Sequence, residues 1–281
     1  MSNIKIMLSD LGNFGVSHYL CPADCDLVPF LDAAVECGFT SIGLTERALS
    51  EMPIAELRRE LRSRQLGVSS VNTAGYFLFE GERRTQQARI NESLLCAASE
   101  LEAVNGVNLI VGGTASIPLS EARDDAFEQS CALAQRAKSL GTRLLIEPMH
   151  PIQTTGKGCV NTLEQAHAWT QAIDGLALNL DLFHSWWDPS LPLALQGEMS
   201  PLGVVQICDV SINAESMLPC RVPLGQGQID WRNAVRHLVR SFRHIPIELE
   251  LFAFQLSGRD PLDVMRVNAR IIETVLRETE K

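Results

Sequence analysis

Short aliphatic and β-branched runs alternate with longer amphipathic stretches along the whole chain. Apolar residues bunched over a few positions mark strands, and apolar residues returning at helical spacing mark helices. The pattern predicts a strand at IKIMLS, a helix over 25–37, a strand at TSIGL and a helix over 53–64. It continues with GVSSVN and 83–104, VNLIVG and 120–140, RLLIE and 162–173, then LALNLD and a helix near 188–198. VVQIC with 230–242 and IELELF with 261–278 complete the series. Gly38 and Gly141 stand where helices should end, and Pro53 and Pro261 where helices should begin. Ser120, followed closely by acids that suit a helix N-terminus, is expected to cap the helix it opens.

Strand and helix alternating in this way predict an α/β chain whose parallel sheet closes on itself, a (β/α)8 TIM barrel. No Pro/Gly/Ser-rich linker, charge block or repeat interrupts the 281 residues, so 1–281 is expected to be a single domain. In such a barrel the C-terminal strand ends meet at one mouth and alternate side chains point to the axis. This parity turns Leu145 and Glu147 inward and Leu144 and Ile146 outward. It likewise pairs Asn179 with Asp181, Val204 with Gln206, and Glu248 with Glu250. Glu248 then lies one layer below the mouth, where a carboxylate needs a partner. Lys5, inward on the first predicted strand, is the expected one.

The residues at these strand ends carry the chemistry. Glu147, Asp181, Gln206 and Glu250 bring three carboxylates and one amide oxygen toward one point. Hard oxygen donors suit one divalent ion, Mn2+ or Mg2+ before Co2+ or Zn2+. Without a cation, mutual repulsion should leave at least one carboxyl protonated. Glu46, just beyond TSIGL, either binds a substrate hydroxyl or caps its loop. Trp186 and Trp187 either wall a sugar's C–H face or cover the barrel. Asp209 is a candidate for orienting a ligand, and the glycines of PLGQGQID could form a lid or cradle a phosphate.

The motifs IEPMHP, LDLFHSWWDP, QICD, RVPLGQGQIDW and ELELF lie between 144 and 252. With the element order of nearly the whole chain, they resemble the xylose isomerase-like TIM-barrel superfamily, which includes sugar-phosphate isomerases and epimerases and endonuclease IV-like enzymes. The resemblance puts Glu147, Asp181 and Glu250 on metal-ligand positions, His184 on a histidine that contacts substrate, and Arg221 on a substrate-binding arginine. It also implies a homodimer or homotetramer. Gln206 departs from the pattern, standing where many members have the histidine of an H-x-x-D motif; an amide oxygen can still coordinate, as in hydroxypyruvate-isomerase-like members. IEPMHPIQTT offers His150 and Gln153 where ketose 3-epimerases carry a further glutamate, which counts against that activity. His150, between Pro148 and Pro151, either caps its loop or touches substrate.

Composition narrows the partners. A formal net charge of −10 disfavours a nucleic-acid surface, which needs clustered Lys and Arg. No apolar stretch is long enough to span a membrane and the first residues lack a secretory pattern, so a cytoplasmic protein is expected. The 8 cysteines are scattered and read as reduced thiols. No nucleophile elbow or dinucleotide fingerprint is present. The expected function is a metal-dependent isomerase or epimerase of a small sugar or hydroxy-keto acid. It would abstract a proton beside a carbonyl through a metal-stabilised enediolate, with Glu147 and Glu250 as the acid/base pair. A dehydratase sharing the first step, or a silent metabolite-binding barrel, are the alternatives.

Overall fold

The computed structural model describes residues 8–103, 105–113, 116–154 and 156–278. Helix α1 (Leu8–Leu11) precedes strand β1 (Phe14–Ser17), which leads to α2 (Leu27–Glu36). Strand β2 (Ser41–Thr45) is followed by α3 (Glu46–Glu51) and α4 (Ile54–Ser63), β3 (Gly67–Gly75) by α5 (Gly81–Glu100), and β4 (Val107–Ile110) by α6 (Leu119–Ser139). Then come β5 (Leu144–Ile146) with α7 (Leu163–Ala172) and β6 (Leu176–Asp181) with α8 (Leu182–Ser185) and α9 (Leu191–Leu195). Strand β7 (Leu202–Ile207) runs into a hairpin of β8 (Asp209–Ile212) and β9 (Pro219–Val222), followed by α10 (Trp231–Ser241), β10 (Ile247–Leu249) and α11 (Pro261–Arg277). Among the described residues, parallel pairing closes a barrel in the order β1, β10, β7, β6, β5, β4, β3, β2, with the hairpin as a separate antiparallel pair.

The first strand is a correction. Leu8 and Ser9 belong to α1, residues 4–7 of the expected IKIMLS strand lie outside the described residues, and FGVS supplies the barrel strand. Four residues with a central glycine carry almost no alternation to read. The glycine is required there: Gly15 pairs with Ser41 and Glu248 on its two sides, and a Cβ on it would stand 2.7 Å from Ser41 Oγ. Ser120 is a second correction. Helix α6 starts at Leu119 behind Pro118, whose extended backbone takes the N-cap place, so Ser120 sits inside the first turn. The helix near 188–198 shrinks to α9, because Asp188 turns the chain by accepting from the N–H groups of Leu163 and Ser190, both at 2.8 Å. Gly38 and Gly141 do end their helices, at φ 82° and 74°.

Two apolar zones confirm the parity of the strands. Leu144, Ile146, Leu178, Val205 and Ile207 belong to the core between sheet and helices, whereas Leu145, Ala177 and Val204 form a separate small cluster inside the barrel. Above that cluster the barrel interior turns polar, and the mouth residues rest on this polar layer. The cysteines are all free thiols. Among the described residues no helix is long and apolar enough to cross a membrane.

Candidate active site

Glu147 directly follows β5, Asp181 ends β6, Gln206 lies in β7 and Glu250 directly follows β10, and all four are buried. Strand pairing places Gln206 level with Asp181 on one side and Glu248 on the other. Amides set the positions of the acids. Asn108 Nδ2 donates to Glu147 Oε2, and Asn179 Nδ2 donates to Glu147 Oε2 at 3.3 Å and to Gln206 Oε1 at 2.7 Å. Gln206 Nε2 in turn donates to Glu248 Oε1 at 2.9 Å and Glu250 Oε1 at 3.0 Å. The Gln206 oxygen, with Asn179 on one lone pair, retains another for a ligand.

Glu248 lies one layer deeper and fully buried, as its parity requires. Its expected partner Lys5 lies outside the described residues. Ser69 and Ser70 donate to its Oε2 at 2.5 and 2.9 Å, and Gln206 satisfies Oε1. From Ser70 the bonding continues round the floor: Asn72 Nδ2 donates to Ser70 Oγ at 2.8 Å, and Asn108 Nδ2 donates to Asn72 Oδ1 at 3.0 Å as well as to Glu147. The ring of hydrogen bonds thus closes beneath the mouth. A buried amide that must donate to an acid has no freedom to flip.

Arg221 reaches the acids from β9, through the hairpin that the sequence pattern did not reveal. Its Nη1 donates to Asp181 Oδ1 at 3.3 Å, its Nη2 donates to Asp181 Oδ2, and Nη2 lies 2.7 Å from Glu250 Oε2. The guanidinium packs over the rings of Phe183 at 4.4 Å and Phe252 at 5.0 Å. Burial pushes the Asp181 carboxyl up, but the charge of Arg221, with the hydrogen bonds from Arg221 and the Phe183 N–H, outweighs it and the net shift is downward. Burial holds Glu250 far above the usual carboxylate range despite the guanidinium, and burial with the Asp181 charge raises Glu147. One cation among three buried carboxyls thus leaves protons on the site, as repulsion demands.

His184 has a defined tautomer. Its Nδ1 accepts from the His150 backbone N–H at 3.1 Å, so the single proton of the neutral ring sits on Nε2. Burial holds its pKa down at about 3, which keeps it neutral. Nε2 lies 3.5 Å from Glu147 Oε1 and 3.6 Å from Asp181 Oδ2, and offers them a hydrogen rather than a lone pair. The ligand atoms of Glu147, Asp181 and His184 lie within 4.8 Å of one another. The tautomer nevertheless leaves the oxygen donors as the better metal ligands. The His150 ring itself accepts from Ile152 N at 3.2 Å and caps its loop.

On the β1–β3 side of the mouth lies a cavity of about 940 Å3, which Glu147, Asp181, Gln206 and Glu250 adjoin but do not line. Tyr19, Thr73, Tyr76, Phe252 and Glu46 are among its walls. Trp186 is elsewhere, in a groove with Leu191, Leu195 and His237, while Trp187 donates its indole N–H to the His184 carbonyl at 2.8 Å. Asp209 holds the PLGQGQID loop: its carboxylate accepts from the N–H groups of Val210 at 3.0 Å, Gly225 at 3.0 Å and Ile229 at 2.9 Å. Those of Gln226 and Gln228 go to Pro223 and Val210 carbonyls, so an internal carboxylate occupies what could have been a phosphate cradle. Asn108 is legible only as a polar position within VNLIVG, and Tyr19 not at all, because the strand before it carries almost no pattern.

The residues present fit a divalent ion. Three buried carboxyls outnumber the guanidinium among them, the donors are hard oxygens, and the buried Glu250 Oε2 lacks a well-aligned hydrogen bond. Glu147, Asp181, Glu250 and the oxygen of Gln206 are the groups that could hold it.

Fold and site together define a barrel with an acid-lined, metal-competent mouth. The xylose isomerase-like TIM barrel family matches over residues 31–275, and the chain belongs to that family. Protein SMc04130 from Sinorhizobium meliloti 1021 is similar in structure, with a TM-score of 0.84 at 25% identity, covering 94% of this chain and 98% of its own. The IolI protein with a bound zinc atom superposes with a TM-score of 0.77 at 18% identity, over 95% and 98% of the two chains. An L-ribulose 3-epimerase gives 0.75 at 18%, over 96% and 97%. No curated protein sequence matches the chain.

Proposed function

We propose that the protein is a divalent-metal-dependent isomerase or epimerase acting on a small sugar or hydroxy-keto acid. The observation that carries this is the convergence of Glu147, Asp181 and Glu250, all buried at the barrel mouth, beside a cavity large enough for such a substrate. A bound Mn2+ or Mg2+ supplies Lewis-acid polarisation of a carbonyl and relieves the repulsion among the acids. The zinc atom of the IolI neighbour and the epimerase activity named for another agree with this reading.

The chain's own groups divide the work. Glu147 takes the proton from the carbon beside the carbonyl, and Glu250, across the Arg221 contact, returns one to the adjacent carbon or to the opposite face. Asp181 holds the ion, with the Gln206 oxygen beside it. His184 Nε2–H donates to a substrate oxygen, with the His150 main chain fixing its orientation. Tyr19 and Phe252, whose rings meet at 4.9 Å, give an apolar face for C–H groups, and Glu46 accepts from a remote hydroxyl. A cytoplasmic location and a homo-oligomer are proposed with it.

The test is solvent exchange. Metal-loaded protein incubated in D2O with ketoses, aldoses and hydroxypyruvate should place deuterium beside a carbonyl, and Glu147→Gln should slow this by about 100-fold or more. Failure of every substrate to exchange in protein saturated with Mn2+ would remove the reading.

A further inference from the structure

Arg221 is bound to the same carboxylates that would hold the ion. Both oxygens of Asp181 accept from its two Nη groups, Nη2 also lies 2.7 Å from Glu250 Oε2, and the other Glu250 oxygen accepts from Gln206. Neither acid has an oxygen without an N–H beside it. Arg221 Nε, by contrast, is buried with no hydrogen-bond partner, an expensive condition for a charged group. The guanidinium rests on the Phe252 ring, itself a wall of the mouth cavity. Its backbone belongs to the hairpin, outside the barrel sheet, so the side chain can shift without opening a barrel strand.

We propose that Arg221 is the resident counter-cation of Asp181, held against Glu250 as well, and that a divalent ion binds only by displacing its guanidinium from both acids toward the cavity. This rests on the metal-dependent reading above. Two cations then compete for one pair of acids, and a contact between a guanidinium and a divalent ion is repulsive. Arg221 thereby lowers the affinity for the ion. Once displaced, its Nε and Nη groups face the cavity and are available to substrate oxygens, which orders the binding: ion first, substrate second.

The test is titration of metal-stripped full-length protein with MnCl2 by calorimetry, in wild type, Arg221→Met and Arg221→Lys. Removing the competing charge-assisted bonds should tighten Mn2+ binding in Arg221→Met by roughly 10- to 100-fold. Arg221→Lys, a charge without the fork, should fall between. Equal or weaker binding in Arg221→Met overturns the proposal. Should the variants fail to fold, the wild type still decides by nitrogen NMR of its arginine side chains. The Arg221 Nη signals should be resolved and slowly rotating without ion, and averaged at saturating MgCl2. Signals that stay locked at saturation overturn it. Mn2+ binding that ignores Arg221 defeats this inference alone, whereas absence of ion binding in all three proteins defeats the metal reading and this inference with it.

Discussion

Gly43 should be intolerant of even one methyl group. A Cβ there would lie 2.5 Å from Glu248 Cδ and Oε1, and nearer still to Oε2. The carboxyl has nowhere to retreat, since Ser69 at 2.5 Å, Ser70 at 2.9 Å and Gln206 at 2.9 Å hold it in a fully buried place. Gly43→Ala therefore adds overpacking of about 1–3 kcal/mol to the loss of hydrogen bonds on a buried acid, about 1–3 kcal/mol more. A total of about 2–6 kcal/mol corresponds to a fall in Tm of roughly 3–10 °C for a chain of this size. Calorimetry and urea unfolding of wild type, Gly43→Ala, Glu248→Ala and the double variant would measure the coupling. With the Glu248 carboxyl gone, Gly43→Ala should cost less than about 1 kcal/mol, giving a coupling of at least about 1 kcal/mol. A Gly43→Ala protein as stable as wild type, or an additive cycle, would refute the cradle.

Two further outcomes are expected away from the proton-transfer groups. Burial, then the charge of Arg47, lowers the His18 pKa from 6.5 to about 4. Its neutral ring is bonded to Thr45 Oγ1 at 2.8 Å, and Glu51 lies 4.0 Å from Nε2. Because the folded pKa is depressed, the stabilisation is full above pH 6.5 and falls as the unfolded chain takes up a proton between pH 6.5 and 4, by about 3 kcal/mol in all. Urea unfolding across that window should show a shallower pH slope in His18→Gln than in wild type; equal slopes would count against a neutral buried His18. Asp209→Ala strips acceptors from three backbone N–H groups, and hydrogen exchange at Gly225 and Ile229 should quicken by at least about 10-fold, with unchanged protection in β4 and β5. Unchanged exchange at both sites would mean that the loop is held by other contacts.

What the chain declares locally, it declares well. Strands from TSIGL onward and most of the helices were readable because period-two and helical patterns report which face is buried, and a barrel repeats that burial at each unit. The same parity singled out Glu147, Asp181, Gln206 and Glu250, since a polar residue ending an apolar strand must point into the mouth. FGVS is unreadable because a glycine crowded by Ser41 and Ser69, both distant in sequence, erases the pattern. The Lys5 partner expected for Glu248 lies outside the described residues, and Ser69, Ser70 and Gln206 are the groups seen on that acid.

By itself, then, the sequence determined the barrel, the inward registers and the carboxylates at its mouth, because each follows from alternation along a strand. The tertiary structure decided how those groups are charged and turned. It brought Arg221 onto Asp181 by a hairpin, linked Asn108 and Asn179 to Glu147 and set the His184 proton through the His150 main chain. These contacts join residues far apart in sequence, and in a buried site such partners, more than residue identity, set which oxygen carries a proton and which way an amide faces.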